Sequence, residues 1–178
     1  MSGTSAADGV LVTELARTML ERVVAVETDQ AAARVIFPQQ AEAYLADPAR
    51  ALAGRDRRGR PLEFGLTGVE VLLVPVLMEA AVEVLGYLTG HALLRGGAAS
   101  AAVLRRLFGR PAVAPADAPT DPEPEPEPVL TPAQWAEVAR IVESVLVRHA
   151  RMTPERAERL AIAVVGAGVL GKGDHGPR

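Results

Sequence analysis

The chain predicts a mostly α fold, arranged as an N-terminal helical domain, an extended Pro/Glu-rich linker and a C-terminal αα-hairpin. Three observations carry that prediction. Aromatic residues make up only 3% of a chain that is 49% apolar, so its core must be built from Ala, Val and Leu. Alanine and leucine lead the helix scale, whereas strands draw on aromatic and β-branched residues. Apolar residues also recur at helical spacing on either side of Asp121-Pro-Glu-Pro-Glu-Pro-Glu-Pro128, a run in which each proline fixes φ and removes a backbone donor. Its alternating glutamates repel one another and favour extension.

The first helix is expected from about Val10 to Val26, with Leu11, Leu15, Met19, Val23 and Val26 on one stripe and Glu14, Arg17, Glu21 and Arg22 off it. Val23 to Val26 also suits a strand, which leaves the helix end open. A second helix is expected from about Gln39 to Leu52, with Pro38 in its first turn and Asp47-Pro48 breaking or kinking it. Gly54 to Pro61 reads as a basic loop.

Leu66 to Leu94 is the longest apolar stretch. A membrane span needs about 20 apolar residues with few charges. Glu70, Glu79 and Glu83 interrupt this one, and an acid at the bilayer centre costs about 2.5–3.5 kcal/mol on insertion scales. A buried core helix is the better expectation. Along it Glu79, Glu83, Tyr87, His91 and Arg95 recur every fourth residue, forming one polar ladder with Gly86 and Gly90 beside it. The ladder reads first as a solvent-facing stripe and second as a polar contact to a partner. Glu79 and Glu83 as paired carboxylates for acid–base work is a weaker reading, and no Glu-x-x-His pair of the dimetal-bundle type occurs. Ala98 to Phe108 is expected to be a short helix with a basic end.

The domain organisation expected from these patterns is a helical domain over 8–110, an acidic disordered linker over 111–130, a helical hairpin over 131–170 and a disordered tail over 171–178. Extended as polyproline II, residues 111–128 would span on the order of 50 Å at about 3.1 Å per residue. Thr131-Pro132-Ala-Gln134 announces a capping box with proline in the first turn. Trp135, Val138, Ala139, Val142, Val145, Leu146 and His149 share a face of the helix that follows. Thr153-Pro154-Glu155 begins its antiparallel mate after a tight turn at Arg151-Met152, and Ala157, Leu160, Ala161 and Val164 continue the pattern.

Charge narrows the partner classes. The formal charge is −3, but five of the 22 acids sit in the linker, leaving 17 against 19 Lys and Arg elsewhere. Arg55, Arg57, Arg58 and Arg60 form one cluster and Arg105, Arg106 and Arg110 another. These are ordinary solvated charge or, on the second reading, contacts to an anionic lipid surface. Nucleic acid is disfavoured as a partner, since no aromatics are interleaved for base stacking.

Several chemistries are not supported. The chain has no cysteine, which removes disulfides, thiolate nucleophiles and cysteine zinc sites. His91, His149 and His175 lack ligand-like spacing, and no serine sits in a nucleophile-elbow context. Leu160-Ala-Ile-Ala-Val-Val165 followed by Gly166-Ala-Gly168-Val-Leu-Gly171 imitates a strand and dinucleotide fingerprint. That motif works only with a helix and second strand after it, so the glycines read better as a helix end. No cofactor or metal is expected. The start of the chain lacks the basic and apolar regions of a signal peptide, so a cytoplasmic location is expected, with a membrane-peripheral one as the alternative.

The function expected is that of a non-enzymatic helical interaction or adaptor protein. A disulfide-free hairpin of about 40 residues seldom buries enough surface to fold alone. Its apolar residues Trp135, Val138, Val142, Val145, Leu160 and Val164 are therefore expected to meet a protein partner, a second copy in a homodimer, or the N-terminal domain. The stiff linker weighs against the last of these. The alternative is a peripheral membrane protein engaging anionic lipid through apolar helices within 66–108.

Overall fold

The computed structural model of the protein describes residues 6–53, 68–90 and 130–166. Among these residues the chain is mostly α-helical and contains no strand. Helices α1 (Ala6–Val26) and α2 (Ala32–Ala46) are joined by a 3-10 turn at Thr28–Ala31 and followed by the short α3 (Pro48–Leu52). Then come α4 (Gly68–Gly90), α5 (Pro132–Ala150) and α6 (Pro154–Val165).

Helix α1 buries Val12, Leu15, Ala16, Met19, Leu20, Val23 and Val24, two adjacent rows rather than one stripe. Leu15, Met19 and Val23 lie where the periodicity put them, and Leu11 is partly buried. Val26 is exposed: it keeps helical register but is the last residue of the helix, clear of the packed neighbours. The alternative of a strand at Val23–Val26 is not realised. Helix α2 returns antiparallel, with Leu45 against Gly9, Phe37 beneath the Arg17 guanidinium and Arg34 paired with Glu21.

Helix α2 corrects one expectation. It starts at Ala32, and Pro38 lies inside it rather than in its first turn. An interior proline forfeits the bond to the carbonyl four residues back and costs about 3 kcal/mol. Pro38 and Arg34 both lie on the exposed side, where water can serve the orphaned carbonyl. The apolar row Ala33, Phe37, Ala41 and Tyr44 runs unbroken past the proline on the opposite side, and its burial outweighs the local loss. Asp47 does end the helix, and its Oδ1 accepts from the Arg50 backbone N–H at 3.0 Å to cap α3.

Helix α4 is the centre of the molecule and packs against α1, α2, α3 and α5. Leu73, Val74, Val76, Leu77, Met78, Ala80, Ala81, Val84 and Leu88 are inaccessible to solvent. Leu72–Gly90 is long and apolar enough to cross a membrane by length and composition, with a mean hydropathy of 1.7. The same composition is required of a helix walled on several sides by others.

The hairpin forms as its signals indicate. The Thr131 N–H donates to Gln134 Oε1 at 2.7 Å and Thr131 Oγ1 accepts from the Gln134 N–H at 3.3 Å, a complete capping box. Arg151 turns the chain with φ 52°, and Met152 is buried beneath the turn. Residues 160–165 are helical, not a strand, and α6 stops at Gly166 with φ 84°.

The two ends of the chain share one core. Helix α5 packs on α4, and α6 packs antiparallel against the C-terminal half of α1. The Arg22 guanidinium donates to the Val164 carbonyl, placing positive charge at the negative end of α6, and burial lowers the pKa of Arg22. Arg156 forms a two-pronged pair with Glu27, at 3.0 Å from Nε to Oε1 and 2.6 Å from Nη2 to Oε2. Arg148 of α5 reaches Glu83 of α4 at 3.1 Å. The apolar face of the hairpin is thus covered by helices of its own chain, contrary to the weight given to the linker. A tether restricts docking only by its reach, and loop closure costs little more as a loop lengthens.

Candidate functional site

The residues expected to meet an outside partner are core residues in this structure. Trp135 is 5% accessible, and Val138, Val142, Val145, Leu160 and Val164 are fully buried. Arg55, Arg57, Arg58, Arg60, Arg105, Arg106 and Arg110, with His91 and Arg95, lie outside the described residues, as do Ala98–Phe108, residues 111–129 and the tail; Leu130, expected in the linker, is buried in the core.

The described part of the polar ladder is divided between neighbours. Glu79 Oε2 accepts a hydrogen bond from the Tyr44 hydroxyl of α2. Glu83 is engaged by Arg148 of α5, and Tyr87 packs at the edge of the core. The two carboxylates therefore contact different helices, Glu79 reaching α2 and Glu83 reaching α5. Among the described residues no group of three or more His, Asp or Glu side chains is placed to hold a metal ion.

Above Glu79 the helices leave an open cleft of about 660 Å³. It is bordered by α1, α2, α3 and α4, at the end where Leu45 of α2 lies against Gly9 of α1. Helix α1 supplies Gly9, Val10, Val12, Thr13 and Glu14, α2 supplies Tyr44 and Leu45, α3 supplies Pro48, and α4 supplies Glu79 and Val82. Three of its apolar side chains remain open to solvent: Val10 at 60%, Leu45 at 46% and Val82 at 39%. Each lies on a well-formed helix, so the wall they make is held by the backbone.

Tyr44 is buried, with only 3% of its surface accessible. Burial pushes its phenol pKa well above the ordinary tyrosine value, and the hydrogen bond to Glu79 and the negative charges of Glu79 and Glu83 push it further. The phenol is therefore a proton donor across the neutral range, holding one Glu79 oxygen in place. Glu79 Oε1 has no hydrogen bond among the described residues.

Sequence reasoning singled out Glu79 but missed Tyr44, Leu45, Val10 and Val82. One signal was available: a tyrosine on the buried row of an amphipathic helix must find a hydrogen-bond partner for its hydroxyl. Nothing in the sequence indicated that Val10, Leu45 and Val82, on three different helices, would border one concavity.

No family model matches this chain, and neither the curated proteins nor the solved structures contain a match to it.

Proposed function

We propose that this chain is a non-enzymatic helical interaction protein whose docking surface is the cleft formed by α1, α2 and α4. The observation that carries this reading is the exposed apolar wall of Val10, Leu45 and Val82 around a fixed polar pair, Tyr44 and Glu79. Single exposed apolar residues are ordinary. Three bordering one concavity, with polar groups at its base, have the make-up of a recognition site. On this reading the hairpin assists indirectly, by completing the core that holds α4.

A photo-crosslinking residue in place of Leu45, in full-length protein within its own cells, tests the reading. A discrete adduct is expected, its mass telling a second copy from a different protein, and Val82→Glu should abolish it. The same probe at Val147, an exposed apolar position on the hairpin, should give none. Equal adducts at both positions, or none at either, would remove the proposal.

Contact with anionic lipid through α4 has weaker support. Its length and composition suit a membrane, but its apolar residues from Leu73 to Met78 are already enclosed.

A further inference from the structure

We infer that the occupant of the cleft is a basic amphipathic segment of a partner protein, which places an Arg or Lys on Glu79 while its aliphatic side chains cover Leu45, Val10 and Val82. The inference rests on the docking reading above and adds the chemistry of what docks.

Charge complementarity decides the class. Among the described lining residues the carboxylate with an open acceptor is Glu79, and none is Lys, Arg or His. An acidic or phosphorylated segment would meet repulsion there, and like-charge juxtaposition is among the stronger determinants of partner choice. A purely apolar segment would cover Glu79 with Tyr44 as its sole donor and no countercharge, and burying a charge without one is costly. A cation avoids both penalties. Tyr44 occupies Oε2 and holds the carboxylate in one orientation, so Oε1 is a pre-oriented acceptor and little side-chain freedom is lost on binding. The apolar wall supplies the second requirement, contact area for the hydrocarbon stem of the cation and its neighbours. A volume of about 660 Å³ accommodates several side chains, more than one lone ammonium group needs.

The direct test uses three labelled peptides of about 14 residues, ~21 Å if helical, with identical leucines and with Arg, Gln or Glu at the polar positions. Fluorescence anisotropy against the full chain is expected to show binding of the Arg peptide alone. Glu79→Gln, which keeps an acceptor for Tyr44, should weaken that binding at least about tenfold. Glu158→Gln, the same charge change at an exposed position of α6, should leave it unaltered. Val82→Glu should also weaken it, because it breaks the apolar wall without touching the acceptor. If the Gln peptide binds as well as the Arg peptide, or if Glu79→Gln and Glu158→Gln behave alike, the cationic assignment is wrong while docking at the cleft survives. If no peptide binds, this inference falls, and the Leu45 crosslink separately decides whether the cleft docks anything.

Discussion

Arg156 and Glu27, 129 positions apart in the sequence, face each other fork to fork across the seam between α6 and the end of α1. Both nitrogen–oxygen contacts lie within ordinary hydrogen-bond range, and the side chains are only 29% and 17% accessible. The pair raises the pKa of Arg156, chiefly through its hydrogen bond to Glu27. A planar guanidinium is suited to this two-point grip in a way that lysine is not.

Arg156→Ala should therefore destabilise the protein by about 2 kcal/mol, since it strands a partly buried carboxylate. Arg34→Ala removes a pair of similar geometry with Glu21, but those side chains are 45% and 51% accessible, and the cost should be below about 1 kcal/mol. Urea titrations of the two variants and the parent check the ordering. Equal losses would mean that the seam pair adds nothing beyond a surface contact.

A single core implies a single transition. Leu77→Ala in α4 and Leu160→Ala in α6 each empty a fully buried site and should each cost about 2–5 kcal/mol. Both should move one cooperative unfolding curve, followed by helical circular dichroism and by the fluorescence of Trp135. A Leu160→Ala protein whose Trp135 signal melts first, with the remaining helices unmoved, would show a hairpin that folds as a separate unit.

Tyr44 gives the stability a defined alkaline limb. Its folded pKa is raised above the unfolded value of about 10, so between those values the folded state holds the proton more tightly. Stability from this group is complete below about pH 10 and declines as pH rises toward the folded pKa. Urea midpoints at pH 8 and pH 11 should fall further for the parent than for Tyr44→Phe. Identical declines would mean that the phenol is neither buried nor held by Glu79 as described.

Two glycines should respond in opposite directions to alanine. Gly166 ends α6 at φ 84° and ψ 126°, a conformation that disfavours a Cβ, so Gly166→Ala should lose about 1–3 kcal/mol. The added methyl would meet Arg22 only at 3.5 Å, ordinary contact, so backbone strain is the cause. Gly86 lies inside α4 with open space where a Cβ would go. Gly86→Ala should gain about 0.4–1 kcal/mol. Thermal melts of both variants suffice, and a loss at Gly86 would show that this face of α4 is already covered.

The elements were legible where the chemistry is local. The Thr131 capping box, the Asp47-Pro48 break and the end of α6 at Gly166 each follow from residues within a turn of one another. Pro38 misled because its penalty is also local, while its compensation is not: the row from Ala33 to Tyr44 is stabilised by helices distant in sequence. The cleft was the least legible feature. Glu79 stood out as one member of a periodic ladder, but the residues that surround it, Tyr44 and the N-terminal part of α1, come from other helices. The seam pair of Glu27 and Arg156 was hidden for the same reason.

The central position of α4 also bears on how the polypeptide is made. When its ribosome has polymerised as far as Gly90, α4 is complete, but α5, one of the helices that pack on it, does not finish until Ala150. At about 5–20 residues per second, those 60 residues take roughly 3–12 s. For that interval the most apolar of the described helices lacks one of its covering neighbours, and slower translation across the intervening codons prolongs that exposure.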